Sequence, residues 1–197
     1  MFFLFGARFC SVFFILYLYQ YIAKYLYFTY HKGKQEANHT RCDKVEYNGC
    51  PGCAYGKHEF TLPCGMAYEN ERFTLSQDWE LPIEGFMVVS PKRCVEKFAD
   101  LTEEERKEAF DITHKAINIL REHNICDRFN IVFEEKENRH FHIWIMPRHK
   151  WMTDLVGDII DHIGTIFDYA KENFRNEETY QHIKEITNLV KDNWNAR

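Results

Sequence analysis

Basic residues are in deficit in this chain of 197 residues: 25 Lys and Arg stand against 30 Asp and Glu, a formal charge of −5. That balance repels a phosphate backbone and argues against a nucleic-acid polymer as partner. Glycine is sparse, nine residues without a three-residue period, which excludes a collagen-like repeat. The longest uncharged run in the apolar opening, residues 9–23, falls short of the ~20 residues of a bilayer span. A multi-spanning membrane protein is therefore excluded. No A-x-A-like site follows that opening, so a cleaved signal peptide is not expected. No internal repeat is found. With 45% hydrophobic and 28% charged residues the chain is not wholly disordered, and its length fits one ordinary domain with an appendage.

Aromatic residues are abundant and uneven. Of the 32 Phe, Trp and Tyr residues, 13 fall within the first 30 positions. Up to Arg41 five basic residues face one acid, +4, so the remainder carries −9. Residues 1–31 read as a hydrophobic leader and 32–49 as a polar linker. Within the leader the apolar pattern continues past Lys24, which could snorkel, to Tyr30. The leader is thus a candidate membrane anchor over residues 9–30, and Lys32, Lys34 and Arg41 behind it favour a cytoplasmic body. The alternative is a leader that never inserts, including one that arises from an over-extended start. The seven cysteines, at 10, 42, 50, 53, 64, 94 and 126, are odd in number, and the chain is too long to need disulfide staples. In a cytoplasmic body a Cys-x-x-Cys pair points to metal or redox chemistry.

The turn-rich string Asn48-Gly49-Cys50-Pro51-Gly52-Cys53 reads as a metal-binding knuckle in which Gly52 relieves strain. Strands are expected over Tyr68–Gln77 and Gly85–Ser90. Thr102 and Glu105 have capping-box spacing, opening a helix to about His123. Two further strands follow, Phe129–Glu134 and His140–Met146. In the second, Phe141, Ile143 and Ile145 share one face and His140, His142, Trp144 and Met146 the other. Two helical stretches close the chain, about Asp154–Phe174 and Glu177–Trp194. The fold class is α+β: an antiparallel sheet with a central helix over 50–152, then a helical C-terminal extension over 153–197. Cys126 reads as a small buried hydrophobe at the start of a strand.

His140 and His142, at i and i+2 on a strand, lie roughly 6–7 Å apart on one face. Such a pair can serve a metal, or a nucleophile and its support. Taken alone it is more often one core and one surface histidine. Its surroundings change that reading. Pro91-Lys92-Arg93-Cys94-Val95 ends a strand, Leu101-Thr102-Glu103-Glu104-Glu105 opens a helix, and His140-Phe141-His142-Ile143-Trp144 precedes Pro147-Arg148. In this order and at these intervals, over about Cys50 to His149, the segments resemble the histidine-triad superfamily.

The resemblance implies a nucleotidyl hydrolase or transferase acting on a nucleotide ester or polyphosphate, with His142 as the nucleophile attacking the α-phosphorus. Neutral imidazole is competent for this near pH 7, and its phosphoramidate is labile to water. The third triad position is Trp144, which has no proton to shuttle. Phe86 replaces a common histidine. The loop Glu134-Glu135-Lys136-Glu137-Asn138-Arg139 replaces a glycine- and serine-bearing one, leaving Arg139, Arg148 and His149 as candidate substrate-binding groups. Zinc-bearing members imply a structural zinc on Cys50, Cys53, Cys94 and His140, whose four ligands leave no open position for water. A local set of Cys42, Cys50, Cys53 and Cys64 is the rival, and unligated thiols the remaining case. Two other functions stay open: a non-catalytic nucleotide-binding module on the same fold, and a membrane-tethered adaptor. Many members are two-fold dimers, so a homodimer is implied as well, with a small-molecule nucleotide as ligand.

Overall fold

The computed structural model describes residues 50–59, 61–135 and 140–195. The leader, its expected anchor at 9–30, the linker with Cys42, and Arg139 lie outside them. Among the described residues no helix is long and apolar enough to cross a membrane.

A short helix α1 (Pro51–Gly56) precedes the strands β1 (Met66–Glu69), β2 (Phe73–Gln77) and β3 (Met87–Pro91). Then come the long helix α2 (Glu103–Glu122) and the strands β4 (Phe129–Glu134) and β5 (His142–Pro147). Helices α3 (Lys150–Val156), α4 (Ile163–Asn173) and α5 (Glu177–Asn193) end the chain. The five strands form one antiparallel sheet in the order β1-β2-β3-β5-β4. This is the expected α+β architecture, with two corrections at element level. The single strand expected over 68–77 is a hairpin. Asn70 turns the chain there, its Oδ1 accepting the backbone N–H groups of Arg72 (2.9 Å) and Phe73 (2.8 Å). The expected helix over 154–174 is broken in two: Gly157 ends α3 at φ 74°, a conformation costly for any side chain.

Alternation along β5 sorts the interior into two layers. Phe141, Ile143 and Ile145 face α2 and α5, packing with Phe73, Leu75, Val89, Ala116, Leu120 and Val190. Trp194 closes that layer, stacked on Tyr68 at 4.2 Å. On the opposite face Met146 and Trp144 meet Met152 of α3, Ile166 and Phe167 of α4, and Ile159 between those two helices. The C-terminal helices thus cover both faces of the sheet. Cys126 differs from expectation: it is half-buried, its thiol on the Arg128 carbonyl at 3.1 Å.

The capping box is formed. Glu105 N–H donates to Thr102 Oγ1 (3.2 Å), and Thr102 N–H to Glu105 Oε2 (2.8 Å). Arg93 adds a fork onto the same carboxylate, Nε to Oε1 and Nη2 to Oε2, both 2.6 Å. The strand-end and helix-start segments are therefore tied to each other, Arg93 to Glu105. That pairing holds the Glu105 carboxyl down at about 2 against an ordinary 4.5. Because the folded value is depressed, its stabilisation is present above pH 4.5 and disappears as pH falls toward 2. Glu105→Ala should cost about 2 kcal/mol at pH 7, the loss of a cap and charged hydrogen bonds. Urea melts of both proteins check this: the gap should narrow below pH 4.5, and a gap independent of pH would refute the charge argument.

Candidate functional site

Four of the expected residues meet at one end of the sheet. Cys50 immediately precedes α1 and Cys53 lies within it, Cys94 follows β3, and His140 precedes β5. Their ligand atoms all lie within 4.8 Å of one another. His140 Nδ1 faces the sulfurs, 3.5 Å from Cys50 and 3.6 Å from Cys53. Its other nitrogen donates to the Pro91 carbonyl at 2.5 Å, which fixes the tautomer and leaves Nδ1 as the donor atom for a metal. The ring is 4% exposed, and burial lowers its pKa, so it stays in the neutral form a ligand needs. Burial, with the Cys94 and Cys50 sulfurs alongside, pushes the Cys53 thiol up to about 12. Three sulfurs this close do not ionise together unless a cation joins them. The donor set fits a Cys₃His tetrahedral ion such as zinc. Of the rival set, Cys64 is buried in the interior and does not join this cluster, and Cys42 is not among the described residues.

Gly52 has a different role from the one its turn-like string suggested. It lies inside α1, which Pro51 opens. A Cβ on Gly52 would collide with the His140 ring and lie 2.6 Å from the His140 Cβ, so glycine is needed for close approach.

His142 stands next along β5. Its Nδ1–H donates to the His140 carbonyl at 3.0 Å, so the nitrogen left for chemistry is Nε2. Nε2 lies 2.6 Å from Glu134 Oε2, in a pair whose side chains are 24% and 13% exposed. Glu134 and His142 are register partners across β4 and β5. The sequence places Glu134 at the end of a strand and the start of an acidic loop, with no role in the site. Its neighbour Glu135 is engaged elsewhere, accepting the Phe98 N–H at 2.8 Å. A second carboxyl missed by sequence, Asp78, is near enough to His142 for the charges to interact. Burial raises it to about 6, although Leu81 and Glu80 donate backbone N–H groups to its Oδ1 at 2.9 and 2.8 Å.

Trp144 lies beside His142, ring centroids 5.8 Å apart, and meets Phe86 at 5.7 Å and Phe167 at 5.6 Å. The two aromatic departures from the triad pattern are therefore neighbours, joined by one side chain from α4. Trp144 forms an apolar wall to the site. Of the candidate substrate-binding residues, His149 is tied to the Glu84 carbonyl at 2.8 Å and Arg148 is exposed just past β5. Arg139 is not among the described residues.

Comparison with known proteins places the fold. No family model matches the sequence, and no curated protein matches it. Solved structures do match. A zinc-bound histidine triad family protein from Mycobacterium smegmatis is 18% identical, with a TM-score of 0.51 over 73% of this chain and 96% of its own. A Hit-like protein involved in cell-cycle regulation from Bartonella henselae gives 0.52 at 12% identity, over 75% and 98%. A hypothetical histidine triad nucleotide-binding protein from Sulfolobus tokodaii gives 0.52 at 18%, over 73% and 93%. The chain has the histidine-triad fold.

Proposed function

We propose that this protein is a nucleotidyl hydrolase or transferase that works through His142, on a small-molecule nucleotide ester or polyphosphate. The observation that carries the reading is the His142 ring itself. Its Nδ1–H is committed to a strand carbonyl, which directs a single lone pair, on Nε2, away from the backbone. That nitrogen would attack the α-phosphorus, the P–N bond forming as the bond to the leaving group breaks. Water then breaks the P–N bond. The fold of the neighbours, one described as nucleotide-binding and one as zinc-bound, supports the reading. On it, zinc held by Cys50, Cys53, Cys94 and His140 is structural, fixing the residue two positions before the nucleophile. A panel of dinucleoside polyphosphates and nucleoside phosphoramidates tests the activity. Release of nucleoside monophosphate by the wild type supports it, and no turnover of any member removes it.

A non-catalytic nucleotide-binding module is the second reading, favoured by Trp144 where a proton-shuttling group would stand and by the carboxyl on Nε2. For assembly we propose a homodimer through β4. This is an edge strand, and Ile131 and Phe133 on it remain 49% and 42% exposed, beside Phe110 at 47%. Sedimentation at micromolar concentration should give a dimer that Ile131→Lys dissociates. A monomeric wild type would end that proposal.

A further inference from the structure

We propose that Glu134 is the proton carrier of the reaction at His142, a general acid in its first half and a general base in its second. The proposal rests on the reading of His142 as nucleophile. Cross-strand register places the two side chains on one face of the sheet, and the 2.6 Å contact falls on Nε2, the nitrogen that must react. Because Nδ1–H is spent on the His140 carbonyl, a proton lies between Nε2 and the carboxyl. Trp144 offers an N–H that is neither acidic nor basic near neutral pH, so the third triad position cannot perform this transfer. Glu135 is held by Phe98 N–H, and the Asp78 Oδ1 atom is held by two backbone N–H groups.

The proton ledger closes with Glu134 alone. The proposed step has the carboxyl keep the shared proton as substrate displaces the contact, so that Nε2 keeps its lone pair. Nε2 attacks phosphorus, the P–N bond forms, the bond to the leaving group breaks, and the carboxyl proton goes to the departing atom. The ring is then a phosphorylated imidazolium whose Nδ1–H still faces the His140 carbonyl. In the second half water attacks phosphorus and gives its proton to the carboxylate. The P–N electron pair returns to Nε2, and Glu134 is again protonated. The net reaction is addition of water: a hydrogen on the leaving group, a hydroxyl on phosphorus.

The test compares wild type with Glu134→Gln on two adenosine 5′-monophosphate derivatives. One is the p-nitrophenyl ester, whose leaving group needs no proton, and the other an alkyl phosphoramidate, whose amine does. With the ester, Glu134→Gln should release about one equivalent of p-nitrophenol per chain and then stall as the nucleotidyl-His142 adduct, the second half slowed by about 10²-fold or more. With the phosphoramidate its first half should fall by a similar factor. Zinc content and urea midpoint should stay within error of the wild type. Should Glu134→Gln fail to fold, Glu134→Ala with added formate replaces it, and recovery of rate with formate supports the proposal. Turnover of both substrates by Glu134→Gln at the wild-type rate overturns it. So does a faster rate, which would make the carboxyl an obstacle on Nε2. Loss of the same half-reactions in Asp78→Asn alone moves the role to Asp78 and also overturns it. These failures leave the nucleophile standing. A wild type that forms no adduct with the ester instead removes His142 as nucleophile, and Glu134 with it.

Discussion

Replacing His142 by alanine is expected to abolish both covalent nucleotidylation and turnover, a loss of about 10⁴-fold or more, because on the proposed function alanine leaves no nucleophile for the first step. The adduct expected on the wild type is a phosphoramidate: labile in acid, stable in base, and visible as a mass increase on the peptide that carries His142. The substitution is chemically severe and structurally mild. The His142 ring is half-buried, and what the fold loses is one hydrogen bond to the His140 carbonyl and one contact with Glu134. The expected stability cost is about 1–2 kcal/mol. His140→Ala is expected to behave in the opposite way. It removes a ring that is 4% exposed, bonded to the Pro91 carbonyl and facing two sulfurs, so it acts through stability and metal content. Equal turnover in wild type and His142→Ala would remove His142 as the nucleophile. Equal metal content in wild type and His140→Ala would separate that residue from the metal cluster.

The segments that carried the family resemblance in the sequence are joined in space by contacts that explain them. Pro91 ends β3 and presents the carbonyl that sets the His140 tautomer. Arg93 grips the helix-opening Glu105, and Cys94 completes the sulfur set. A short string with several tertiary duties is readable because each position is constrained. The helix α2 was legible for a local reason, since its cap and its apolar spacing lie within its own sequence. What stayed hidden depends on contacts between distant segments or on competing local signals. Glu134 lies eight residues before His142, and only the β4–β5 register makes them neighbours. Phe167 stands among helical residues and looks like ordinary core until α4 lays it against Trp144 and Phe86. Asn70 sat inside an apolar alternation that outweighed its turn chemistry, so a hairpin read as one strand. Gly52 carried the correct residue in the correct place for a reason that only the packed His140 ring reveals.

If the cluster holds zinc as proposed, removing the metal should destabilise the body by about 5 kcal/mol, enough to lower its melting temperature by more than about 10 °C. The four candidate ligands come from the start of α1, the segment after β3 and the approach to β5, so a bound ion would join three separate parts of the chain. Without it the sulfurs must carry protons. The Cys53 thiol then keeps its proton to about 12, against an ordinary 9.0, because burial and the adjacent sulfurs oppose its charge. The unfolded chain ionises first, so the metal-free protein loses stability as the pH rises from 9.0 toward 12. With metal bound the sign reverses. The thiolates are already formed, and protons compete for them as the pH falls, so the metal is lost on the acid side. Melting curves with and without chelator, with elemental analysis at each pH, read both slopes. Cys94→Ser should lower zinc content and remove most of the chelator effect, whereas Cys64→Ser should leave zinc in place. Full zinc occupancy in Cys94→Ser with loss in Cys42→Ser or Cys64→Ser would assign the ion to the local four-cysteine set instead.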